Sequence, residues 1–151
     1  MGWVGICHFK GANSTAAAEN DWRPRILQLN TERLTANKIS NIKQLAYKYK
    51  ALVIILQETN CTTTDKLVIP NFSLSGSVLS RKHGFTAFVH ERLEWSLVNQ
   101  SPEQSKTEWL CIDAAGYKII MSTNLHPCDS HMESCCFQHL FCMLVTSTAS
   151  T

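Results

Sequence analysis

The feature that most limits what this chain can fold into is a strand, a helix and a continuous apolar run, in that order, between Arg25 and Leu56. Arg25-Ile26-Leu27-Gln28-Leu29 reads as a strand ending at Asn30. Ile39, Ile42, Leu45, Ala46 and Tyr49 then recur at helical spacing on one face, while Lys38, Asn41, Lys43 and Lys48 lie largely elsewhere. That predicts an amphipathic helix of roughly three turns. Ala51-Leu52-Val53-Ile54-Ile55-Leu56 follows, rich in β-branched residues, the pattern of a strand covered on both faces. Together they make a βαβ unit, with a right-handed crossover expected. Two parallel strands joined this way end at the same edge of their sheet. Asn30 and Gln57-Glu58 are therefore expected side by side, where α/β-type sheets place their chemistry.

After Glu58 the pattern changes to short strands and turns. Leu67-Val68-Ile69 reads as a strand before a Pro70-Asn71 turn, and residues 72–79 alternate apolar with serine. Further strands are expected at 84–90, 94–98, 108–114 and 117–123, the last two joined by a tight Ala115-Gly116 turn. A βαβ start followed by antiparallel strands predicts an α+β fold, a layered sandwich with helical cover. Trp95 and Trp109 lie in alternating strands and read as core.

A 44% hydrophobic and 17% charged composition over 151 residues is that of a globular chain. The net charge of +2 neither requires nor excludes a nucleic-acid partner. No apolar run reaches the roughly 18 residues of a membrane span. The first residues, Met1 to Ile6, lack the basic start and long apolar core of a secretory signal, so an intracellular location, nucleus or cytoplasm, is expected. Residues 1–24 show no apolar period and read as a poorly ordered leader.

Glu58 stands directly after the buried strand, between Gln57 and Thr59. A carboxylate there is a hard-oxygen donor of the kind magnesium takes, with waters and substrate phosphates completing the shell. A strand-end glutamate facing solvent is the commoner occupant of such a position. Asn30 could donate to a phosphate oxygen or a bound water; by itself it is a turn former.

The same residues carry a resemblance. Ile26-Leu27-Gln28-Leu29-Asn30, the helix, and Ile54-Ile55-Leu56-Gln57-Glu58-Thr59 resemble the opening of the endonuclease/exonuclease/phosphatase (DNase I-like) superfamily. The likeness continues through Ile69-Pro70-Asn71-Phe72, where the family has Ile-Pro-Gly-Phe, and through Ser80-Arg81-Lys82-His83-Gly84. It ends with Glu108-Trp109-Leu110-Cys111-Ile112, Tyr117-Lys118-Ile119-Ile120 and Asn124-Leu125-His126-Pro127. This series is most similar to the endonuclease domain of LINE-type (non-LTR) retrotransposon polyproteins.

The resemblance implies a two-sheet β-sandwich flanked by helices, present in part over residues 25–127, with 128–151 an unrelated Cys/His-containing tail. It also implies hydrolysis of DNA phosphodiesters with Mg2+, Glu58 as metal ligand, and Asn30, Glu58 and Asn124 as catalytic positions. The family also uses a strand-end tyrosine, an Asp-x-Asn set and a late Ser-Asp-His. Here Leu125 stands at the tyrosine position, and no corresponding segments follow Pro127. An incomplete, inactive or weakly active fragment of marginal stability is therefore expected.

Arg81 and Lys82 could reach DNA phosphate from their loop, although most surface cations contact nothing. Of seven cysteines, Cys128, Cys135, Cys136 and Cys142 crowd the tail beside His131 and His139. These are usable zinc ligands in no recognised order, so a small interaction or zinc-binding protein reusing the half-domain is the alternative. Phe137, Leu140, Phe141, Met143, Leu144 and Val145 could instead cover an open sheet edge.

Overall fold

The apolar run becomes the middle of a sheet. The computed structural model describes residues 25–102 and 108–122, together with the strand backbones of 4–7 and 142–147. In chain order the elements are β1 (Val4–Cys7), β2 (Ile26–Asn30), α1 (Ala36–Tyr49), β3 (Val53–Gln57), β4 (Phe72–Val78) and β5 (Phe85–His90). They continue with β6 (Trp95–Gln100), β7 (Trp109–Ala114), β8 (Tyr117–Ser122) and β9 (Cys142–Ser147). Five strands form one sheet in the order β1-β2-β3-β5-β4, and four form the other, β6-β7-β8-β9. Only β2 and β3 run parallel; all other pairs are antiparallel. The molecule is α+β, with two mostly antiparallel sheets and a helix.

Each face of the first sheet has its own core. Ile26, Val53, Ile55, Phe85, Ala87 and Val89 meet Leu110, Ile112, Ala114, Ile119 and Met121 of the second sheet. On the opposite face Leu27, Leu29, Ile54, Leu56 and Phe88 pack with Ile42 and Ala46 of α1 and with Ala51, Leu67 and Ile69. Residues Val53 to Leu56 are fully buried, as expected of a strand covered on both sides. Thr35 caps α1, its Oγ accepting from the Lys38 N–H, and Lys50 ends it in the left-handed region.

β4 shows why its alternating pattern misleads. Phe72, Leu74, Gly76 and Val78 would share one face of a regular strand. A β-bulge between Leu74 and Gly76 shifts the register against β5 and reverses the facing midway. Phe72 and Leu74 pack on the helix-side core, whereas Val78 joins the inter-sheet core. Ser75 is buried at the bulge, and its hydroxyl donates to the Ala87 carbonyl at 3.0 Å. A Cβ on Gly76 would lie 2.7 Å from Leu110 Cδ1, so its small size lets the sheets approach.

Four expectations need correction. Order begins before Pro24: Val4–Cys7 forms a strand whose ladder pairs the outer edge of β2, which would otherwise be open. Leu67-Val68-Ile69 alternates in and out, with Val68 exposed, but joins no ladder. Trp95 is not core, because β6 is an edge strand exposed along its whole length; Trp109 is half-buried. Finally, the tail takes part in the sheet, since β9 pairs with β8 from Cys142 to Ser147. The backbone of 142–147 thereby pairs the β8 edge, while Phe137, Leu140 and Phe141 of the edge-covering reading lie outside the described residues.

Leu110 sits at the inter-sheet crossing and is fully buried, whereas Leu97 on β6 is 44% exposed. Leu110→Ala should lower stability by about 2–5 kcal/mol. Leu97→Ala should stay within about 0.5 kcal/mol. Urea midpoints at constant slope check both.

Candidate functional site

The parallel register sets Asn30 opposite Gln57, so the β2 and β3 ends leave the sheet side by side and Glu58 follows directly. Asn30 Oδ1 accepts from the Glu32 N–H at 3.0 Å, an Asx turn that fixes the side chain and leaves the Nδ2 hydrogens to donate elsewhere. Glu58 is half-buried with φ of 51°, a left-handed conformation unusual for a residue with a side chain. Such a conformation costs on the order of 1–3 kcal/mol and persists only where neighbours enforce it.

The neighbours are specific. Thr31 N–H donates to the Gln57 carbonyl at 2.9 Å, and Thr31 Oγ bonds the carbonyls of Gln57 and Glu58 at 2.9 and 3.1 Å. Arg33 N–H donates to the Glu58 carbonyl at 2.8 Å and Leu34 N–H to that of Thr59 at 3.0 Å. Glu32 and Arg33 are themselves left-handed. Their loop is closed by Lys38, whose ammonium donates to the carbonyls of Thr31, Glu32 and Arg33. A cation in the first turn of a helix opposes the helix dipole, and these three carbonyls offset that.

A second loop holds the other side. Thr59 N–H donates to the Gly84 carbonyl at 3.3 Å, Asn60 N–H to that of His83 at 2.9 Å, and Ser80 N–H to that of Cys61 at 3.1 Å. The Asn60 side-chain amide, turned to match its neighbours, donates to the carbonyls of Lys82 and His83. Gly84 also gives its N–H to Glu108 Oε2 at 3.2 Å, which brings a second carboxylate to this edge. Gly84 has φ of 87°, and a Cβ there would lie 2.7 Å from the Val78 carbonyl oxygen.

Asn30, Glu58 and the Arg81–Lys82 loop are thus brought to one sheet edge, with Arg81 and Lys82 exposed. Asn124 lies outside the described residues, as do Leu125 and every zinc-ligand candidate of the tail except the strand backbone of Cys142. Among the described residues no three of His, Cys, Asp and Glu gather as a metal cluster. Burial pushes the Cys111 thiol up, Lys118 pulls it partly back and Asp113 adds to the rise, so it stays protonated and apart from this edge.

Sequence reasoning passed over Thr31, Lys38 and Glu108. Thr31 gave a signal in following Asn30 directly, but the acceptors of Lys38 and Glu108 come from other segments and leave no local trace. Among the described residues the buried Gln57 Nε2, Thr59 Oγ1 and Thr86 Oγ1 have no hydrogen-bond partner, and the first two belong to residues flanking Glu58. No family model matches the chain, and neither does any curated protein.

Gly84→Ala should destabilise the fold by about 1–3 kcal/mol and accelerate amide exchange at Thr59 and Asn60. Lys38→Met should cost about 1–2 kcal/mol, the range of hydrogen bonds from a partly exposed charged group. Lys38→Arg should recover only part of that, because a planar fork does not converge on three carbonyls. Thermal melts and exchange at the Thr31–Leu34 amides test both.

Proposed function

We propose that the chain carries the first part of a magnesium-dependent DNA endonuclease domain, DNase I-like and of the LINE retrotransposon type. The observation that carries this reading is the pairing of Asn30 with Gln57, which sets a strained Glu58 beside Asn30 at the carboxyl edge of parallel strands. Two mostly antiparallel sheets with a helix over one face are compatible with such a sandwich. The resemblance supplies the family.

The donor set fits magnesium. Glu58 offers one hard carboxylate oxygen pair, and magnesium is held by one or two protein carboxylates, the rest of its shell being water and phosphate. When bound, the ion would supply charge stabilisation at the phosphate. Glu58 would hold it, with Thr31 and Arg33 fixing the backbone from which the carboxylate extends. Asn30 Nδ2 would donate to a phosphate oxygen, and Arg81 and Lys82 would contact flanking phosphates.

The residues that serve the family as proton acceptor are not matched within these 151 residues. Leu125 stands where the family has tyrosine, and the 151 residues contain neither Asp-x-Asn nor Ser-Asp-His. Asp129-Ser130-His131 has the wrong order and follows the Pro127 turn too soon. Geometry decides general-base catalysis before residue type does. Metal and phosphate binding without efficient turnover is the consequence.

Mn2+ can report on the site through water-proton relaxation. Glu58→Gln should weaken binding at least about tenfold, the scale on which metal sites respond to lost ligand support. Nicking of supercoiled plasmid in Mg2+ should be slow or absent, and any nicking should vanish in Glu58→Ala. Mn2+ affinity indifferent to Glu58 would sink the metal assignment, while rapid, Glu58-dependent nicking would sink the claim of an incomplete site.

A further inference from the structure

Helix α1 carries a surface that the Asn30–Glu58 edge does not use. From Arg25 to Lys50 the chain holds six cations, Arg25, Arg33, Lys38, Lys43, Lys48 and Lys50, against one anion, Glu32. That is a local charge of +5 in a chain whose total is +2. The helix has no acidic residue at all, so none of its lysines is balanced by an ion pair within it.

Lys38 is occupied by carbonyls at the helix start. Lys43, Lys48 and Lys50 are exposed on the outer surface. Arg25 joins them, because its Nη1 donates to the Tyr49 carbonyl at 3.3 Å beside the helix end. At about 100° per residue, Lys43, Tyr47 and Lys50 fall within a stripe roughly 60° wide. Tyr47, between two lysines, is 88% exposed.

We propose that this face of α1 binds single-stranded nucleic acid, with phosphates on Lys43, Lys50 and Arg25 and a base stacked on Tyr47. The charge complementarity is that of a polyanion, and an exposed ring between cations is the arrangement by which unpaired bases are held. A duplex keeps its bases stacked internally and leaves Tyr47 unused. An anionic membrane needs apolar side chains beside the cations. Those of α1 point the other way: Ile42 and Ala46 are buried, and Ile39 and Leu45 pack on the same core. The surface is independent of the proposed nuclease site.

The test uses the full chain in EDTA, so the metal site plays no part, with fluorescence anisotropy on labelled oligothymidylate and a hairpin duplex. Vesicles of phosphatidylserine in phosphatidylcholine form the third arm. Oligothymidylate should bind most tightly. Lys43→Gln/Lys50→Gly should flatten the slope of log affinity against log salt by about 1.4, as expected for two lost single-strand phosphate contacts, whereas Lys48→Gln, whose ammonium lies over the Tyr49 ring 5.4 Å from its centroid, should change it less. Glycine at 50 suits the left-handed cap, so the double variant keeps its helix. Tyr47→Ala should weaken binding roughly five- to hundredfold, and Tyr47→Phe should not. Unchanged oligothymidylate affinity in both the double variant and Tyr47→Ala would overturn the proposal, as would tighter binding to the duplex or the vesicles. Should the double variant fail to fold, the contrast between Tyr47→Ala and Tyr47→Phe decides alone.

Discussion

The parallel ladder between β2 and β3 is the interaction on which the rest of the structure depends. Five residue pairs run from Ile26 with Val53 to Asn30 with Gln57, and all their side chains are buried except those of Gln28, Asn30 and Gln57, which are half-buried. Backbone polar groups flanked by such burial need partners within the sheet, so the ladder must be complete. A slip of one residue would exchange the two faces of β2, moving Leu27 and Leu29 from the helix-side core into the sandwich. It would also separate Asn30 from Gln57. Register, core assignment and the candidate site are therefore one constraint.

From that ladder the site edge is built by cross-ties. The 31–34 loop donates to the Gln57, Glu58 and Thr59 carbonyls from one side, and the 83–84 loop accepts from Thr59 and Asn60 on the other. This explains how Glu58, Asn60, Glu32 and Arg33 can all hold positive φ. Each conformation is unfavourable locally, and each is held by hydrogen bonds to a different segment. Asn71, directly after Pro70, is also left-handed at φ of 66°. Asparagine tolerates that region better than most residues with a side chain.

The second sheet depends on the first through shape. The β4 bulge directs Val78 inward, and Gly76 leaves room for Leu110. β1 and β9 add to opposite sheets, pairing edges of β2 and β8 that would otherwise present unpaired backbone. Conversely, β6 remains an edge with Trp95, Leu97 and Val98 exposed. Its bulge between Leu97 and Asn99 is one of the devices that make such an edge a poor template for further strands.

Much of this was legible in the residues themselves. The helical spacing of Ile39 to Tyr49, the unbroken apolar run and the Ala115-Gly116 turn each report a local preference, and β2, α1, β3 and the β7–β8 hairpin follow from them. The adjacency of Asn30 and Glu58 was legible too, because parallel strands leave little choice of edge. The bulge in β4, the pairing of Val4–Cys7 and Cys142–Ser147, and the exposure of Trp95 were not. Nor were the Lys38 and Glu108 ties. Local sequence determines periodicity and turn chemistry, which depend on neighbours a few residues away. Which edge a strand completes, which face a bulge turns inward and which carbonyls a lysine meets depend on atoms brought together from distant segments, and only the tertiary structure decides them.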